Sequence, residues 1–182
     1  MGDIRSEPCG RTASHPGDSA SEFAHPLTRM VLAGTGSTTR LLEDGLATTL
    51  SIQVLGQRLT TAALVSRDIR GVLAVMETDE VLVRRSSLVT ADLVPVSRNY
   101  VVGRDPRAPD AGRVMTSTVT PIGYGLAALG PSRRQMIAVT RSLWLKNDGT
   151  TVACAVKNYV IFVKGAPLLY LSEHFNPDFL PT

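Results

Sequence analysis

The chain has 182 residues, enough for one domain with a real core and too few for two, and at 43% hydrophobic and 19% charged it has the composition of a globular protein. Aromatic residues make up 5% of the total, so the core has to be assembled mainly from Val, Leu, Ile and Ala. The formal charge of +3 is modest, but the chain beyond residue 26 carries 17 basic against 12 acidic side chains. That bias suits a small anionic ligand and is too weak and scattered for a nucleic-acid stripe, while apolar runs such as Val72–Met76 are far too short to span a membrane.

Residues 1–26 are rich in Gly, Pro, Ser and charge, show no periodicity and contain no hydrophobic signal core. They are expected to form a disordered tail ahead of a domain spanning 27–182, and the lack of an export signal makes the cytoplasm the default location. A helix is expected over 27–32, a break at Gly34-Thr-Gly36, and a second helix over 38–46 with Ser37 or Thr38 as its N-cap. Leu50, Ile52 and Val54 recur at period two, predicting a strand within 48–60. The runs 81–89 and 93–102 predict a hairpin turning at Thr90-Ala-Asp92; residues 103–120 read as loop, and 122–129 as a short helix closed by Gly130-Pro131. Strands follow over 135–146, 150–163 and 167–175, separated by Asn147-Asp-Gly149 and Lys164-Gly-Ala166. Helices first and consecutive hairpins afterwards predict an α+β fold on an antiparallel sheet.

Within the last strand, alternation places Leu169, Leu171, Glu173 and Phe175 on one face. Glu173 among large apolar side chains is either a carboxyl of raised pKa, suited to general acid work, or an edge-strand residue that reaches water. Arg84 and Arg85 interrupt a β-patterned run, and only one of two neighbours can face inward; Arg98 shares a strand face with Val94, Val96 and Tyr100. Inward arginines would grip a carboxylate through paired hydrogen bonds, whereas outward ones form a solvated face. Cys9 and Cys154 lie far apart and read as free thiols. His15, His25 and His174 are scattered and no CxxC or HExxH pattern occurs, so no metal or cofactor is expected. Gly34-Thr-Gly-Ser37 lacks the strand before it and the lysine that a phosphate loop needs.

Several segments together resemble the chorismate pyruvate-lyase family, including its actinobacterial 4-hydroxybenzoate synthase branch. They are Leu27-Thr-Arg, Gly36-Ser-Thr-Thr-Arg-Leu-Leu42, Val81-Leu-Val-Arg84, Thr120-Pro-Ile-Gly123 and Leu169-Tyr-Leu-Ser-Glu-His-Phe175, which extend the resemblance from about Leu27 to Pro181. It implies a six-stranded antiparallel sheet with helices on one side and flaps enclosing a pocket. Some bacterial transcription regulators use the same scaffold as an effector-sensing domain. Carried over by position, the carboxylate-binding arginine falls on Arg84, with Arg85 as the alternative. The acid falls on Glu173, a backbone contact on Ile122, and a second arginine on Arg98. Two departures stand out: polar Thr38 replaces an apolar wall residue, and Lys157-Asn-Tyr-Val160 replaces an arginine-rich run.

The leading expectation is therefore a cofactor-free lyase converting chorismate to 4-hydroxybenzoate and pyruvate. Glu173 and Arg84 would carry the catalysis, and Arg85, Arg98, Ile122, Thr38 and Lys157 would line the substrate. Two alternatives stay open. One is a diverged enzyme of natural-product biosynthesis, such as a cyclase, acting on a larger, less charged substrate. The other is a non-catalytic domain that senses an aromatic acid, weakened by the lack of room for a helix-turn-helix in residues 1–26. The expected partner is a small anionic substrate, without nucleic acid or membrane, bound by a monomer or weak homodimer.

Overall fold

The computed structural model describes residues 19–182, apart from the side chains of Ala127 and Ala128. The tail expected over 1–26 lies outside the described residues as far as residue 18. Beyond that the chain is packed. Ser19 caps a 3-10 turn at Ala20–Glu22, and the Phe23 that follows is 0% exposed beneath Arg141. The boundary at residue 26 thus falls inside packed chain.

Helices α1 (Pro26–Ala33) and α2 (Thr38–Leu46) come next. Proline opens the first, where its missing N–H costs nothing, and the Ser37 hydroxyl accepts from Arg40 N to cap the second. Six strands then form a single antiparallel sheet: β1 (Ser51–Thr61), β2 (Glu80–Val89), β3 (Pro95–Arg104), β4 (Ser132–Leu145), β5 (Thr151–Val163) and β6 (Ala166–Phe175). Their order is β1-β2-β3-β6-β5-β4, two three-stranded meanders joined along β3 and β6. This is the α+β architecture that the hairpin signals predict. The β5–β6 turn is a two-residue loop with positive φ at both Lys164 (52°) and Gly165 (83°), the mirror-image turn whose twist matches the strands.

Three short helices complete the fold: α3 (Arg67–Leu73), α4 (Pro109–Thr116) and α5 (Ile122–Gly125). The sequence pattern does not mark the first two, and the second replaces part of the loop expected over 103–120, because each carries a glycine, at position 71 or 112, that depresses helix propensity. At Gly112 tertiary contact requires it, since a Cβ there would lie 2.3 Å from the Pro106 carbonyl oxygen. Helix α3 packs on one face of the sheet, where Leu73 meets Val81 and Val102.

The opposite face carries two apolar clusters. Val31, Leu32 and Leu42 of α1 and α2 pack on Leu88, Ala155 and Phe175, while Met115 and Ile122 of α4 and α5 pack on Leu82, Val101 and Leu169. Residues directly paired across antiparallel strands share a face. The register therefore sets Ser86, Asn99, Glu173 and Lys157 in one row across β2, β3, β6 and β5, between the two clusters. A polar row through an apolar layer is the feature that positions the site.

Candidate functional site

A cavity of about 40 Å³ opens above this row. Its floor is Ser86, Asn99 and Glu173, its walls include Thr38 and Thr39 at the N-terminus of α2, and Arg134 of β4 lies at one side. Pro121, Ile122 and Gly123 close it from above. A Cβ at Gly123 would stand 3.1 Å from Ser37 Oγ and 3.7 Å from Arg134 Nη2, so glycine lets this segment lie close over the helix end and the guanidinium.

Glu173 sits on β6 between β3 and β5, away from any sheet edge, and is 5% exposed. Burial pushes its carboxyl pKa up, opposed by the charges of Lys157 and Arg134 and by the nearby hydroxyls of Thr38 and Tyr159. Lys157 is its register partner, but the ammonium is committed elsewhere, donating to the carbonyls of Val31 (2.8 Å) and Gly34 (2.6 Å) at the end of α1. Burial lowers the Lys157 pKa, against the pull of Glu173. Arg84 is 0% exposed, with its own pKa lowered by desolvation. Its Nη1 donates to the carbonyls of Met115 (2.8 Å) and Ser117 (2.7 Å), closing the end of α4, and its Nε and Nη2 have no partner.

The expected site residues thus divide. Glu173, Thr38 and Ile122 line the cavity; Arg84 and Lys157 lie buried on the same face, each holding a helix end. Arg85 is exposed on the other face. Arg98 also points away, its guanidinium 4.0 Å from the Trp144 ring and donating to the Leu145 carbonyl at 3.1 Å. A three-residue loop at 90–92 would have paired Arg84 with Arg98. Instead the register shifts between Leu88 and Val89, Arg84 pairs with Val101, and Asn99 is turned inward.

Asn99, Tyr159 and Arg134 are site residues that strand patterning missed. For Arg134 the reason is a bulge between Met136 and Ala138. Counting by twos from Val139, which pairs with Lys157, would send Arg133 to the cavity face; the extra residue sends Arg134 there and leaves Arg133 over Phe162. The four polar atoms Thr38 Oγ1, Asn99 Oδ1, Arg134 Nε and Glu173 Oε2, all from cavity-lining residues, are buried without a hydrogen-bond partner.

No protein-family model matches the chain, and no curated protein matches it in sequence. Solved structures do match. The effector domain of PhnF from Mycobacterium smegmatis aligns with a TM-score of 0.59 at 17% identity, over 80% of this chain and 91% of that domain. The PhnF structure itself gives 0.57 at 16% identity, and there the match covers 80% of this chain and 66% of that one. A ligand-binding domain assigned to a GntR-family transcriptional regulator of Bordetella bronchiseptica gives 0.53 at 11% identity, over 71% of this chain and 85% of that one.

At these identities the likeness is one of fold, and its subjects are effector and ligand-binding domains where a lyase was expected. The expectation of a chorismate pyruvate-lyase, with its enzyme assignment and its 4-hydroxybenzoate and pyruvate products, is corrected accordingly. The expected absence of any nucleic-acid partner loses its ground with it, because one of these neighbours is assigned to a transcriptional regulator. A cyclase acting on a larger substrate is also poorly served by a cavity this small. Among the described residues no helix is long and apolar enough to cross a membrane.

Proposed function

We propose that this chain is a non-catalytic sensing domain that binds one small polar molecule in the cavity above the β3–β6 seam. The observation that carries the proposal is the set of four unpartnered polar atoms around one buried space. Leaving a buried donor or acceptor unmade costs about 1–3 kcal/mol, so a molecule that supplies the missing partners gains affinity from each. The cavity lies where the N-terminus of α2, the segment leading into α5 and the sheet meet. A bound molecule would tie them together, and the stiffened α2–α5 surface would report occupancy. The likeness to effector and ligand-binding domains supports this role, and a DNA-binding partner module would read the surface.

The test is a thermal-shift screen of small organic acids, amino acids and sugar phosphates, followed by recovery of each hit. A true ligand at a hundredfold excess over its Kd raises Tm by roughly 5–10 °C. It should bind one to one, lose affinity in Arg134→Ala, and return chemically unchanged after long incubation. Conversion of the hit into a product, or undiminished binding by Arg134→Ala, would overturn the proposal.

A further inference from the structure

The unpartnered atoms divide the cavity into two chemically opposite ends. One end offers donors. Arg134 Nη1 is spent on the Thr35 carbonyl at 3.1 Å, but its Nε is free. Beside it opens the N-terminus of α2, a nine-residue helix. Ser37 takes up Arg40 N with its hydroxyl and Leu41 N with its carbonyl, and among the described residues no acceptor takes the N–H of Thr38 or Thr39. The positive end of the helix dipole and a guanidinium therefore meet at one wall, where the buried Thr38 hydroxyl is also unpartnered. The other end offers acceptors, Asn99 Oδ1 and Glu173 Oε2, on residues paired across the seam.

The remaining cations on this face lie outside the cavity lining. Lys157 holds the carbonyls of Val31 and Gly34, and Arg84 directs Nη1 into the end of α4 while its Nε and Nη2 stay unpartnered. A second carboxylate at the Asn99–Glu173 end would face the unpartnered Asn99 Oδ1 and Glu173 Oε2, two oxygens that repel it.

From this polarity, and resting on the sensing function proposed above, we infer that the ligand is a compact monoacid carrying a hydrogen-bond donor close to its acid group. Its carboxylate lies between Arg134 and the first turn of α2, and its hydroxyl or ammonium group lies on Asn99 and Glu173. The ligand class is thus small hydroxy or amino acids rather than plain acids or diacids.

A matched four-carbon series tests this by calorimetry and thermal shift on the full chain: butyrate, 2-hydroxybutyrate, 2-aminobutyrate, succinate and 2-hydroxybutanamide. The hydroxy or the amino acid should bind at least tenfold more tightly than butyrate and succinate, and the two arms show which donor the site takes. The neutral amide should lose binding because it lacks the anion. Asn99→Leu should erase the preference over butyrate, and Arg134→Gln should weaken every acid. Butyrate or succinate binding as well as 2-hydroxybutyrate, or a donor preference that survives Asn99→Leu, would overturn the inference and leave the sensing function standing. Absence of any binding across this series and the wider screen would overturn both.

Discussion

Asn99 and Glu173 are register partners across the β3–β6 seam, and each has a buried carbonyl or carboxylate oxygen, on a residue lining the same cavity, without a hydrogen-bond partner among the described residues. The seam is where two independent meanders meet, so the pairing depends on neither hairpin alone. It also places an ionisable group in the middle of the sheet, with consequences for stability.

Because Glu173 has a folded-state pKa above its ordinary value of 4.5, the native state holds the proton more tightly than the unfolded chain. The stabilisation linked to that proton is fully present below about pH 4.5 and is lost as pH rises through the raised value. Glu173→Gln should therefore raise Tm at neutral pH, with the gain shrinking towards zero on acidification past 4.5. Melting curves of both proteins across pH 4–8 check this; a gain that grew with acid would contradict the raised pKa.

Arg84 holds the end of α4 through two carbonyls and is fully buried, so Arg84→Ala removes packing and strands two acceptors. A loss of about 2–5 kcal/mol is expected in denaturant titrations. Arg84→Lys should recover part of it, since an ammonium keeps the charge but not the planar fork. Arg98→Ala should cost about 1 kcal/mol at most, through the contact with Trp144. Equal losses at the two arginines would contradict their placement on opposite faces.

Phe23 belongs to the cluster formed by Leu32, Leu42 and Phe175, although it precedes the first α-helix. Phe23→Ala is expected to lower stability by about 3–5 kcal/mol, and deletion through residue 24 by at least as much. A truncation series read by thermal denaturation checks this; an unchanged Tm after loss of Phe23 would show that the packing is dispensable.

The Cys154 thiol is 0% exposed on the Trp144 side of the sheet, and burial pushes its pKa up to about 11. Thiolate is the reactive form, so iodoacetamide at pH 8 should leave Cys154 unmodified in the native protein and alkylate it in denaturant. Peptide mass spectrometry distinguishes the two states.

Much of the fold was legible in the residues alone. Turn chemistry at Asn147-Asp-Gly149 and Lys164-Gly-Ala166, period-two runs, and an N-cap at Ser37 or Thr38 are local properties, and they led to the hairpins and to α2, which Ser37 caps. Alternation along β6 also put Glu173 on the same face as Leu169, Leu171 and Phe175, where it lies. What tertiary structure decided was which residues share the cavity. The register shift before Val89 turned Arg98 outward and Asn99 inward, and the bulge at the Met136/Ala138 step exchanged Arg133 for Arg134. Each irregularity changes strand phase by a residue, and with a period of two one residue reverses every face beyond it. No local propensity marks such a step, because it is set by how strands fit one another and the helices above them.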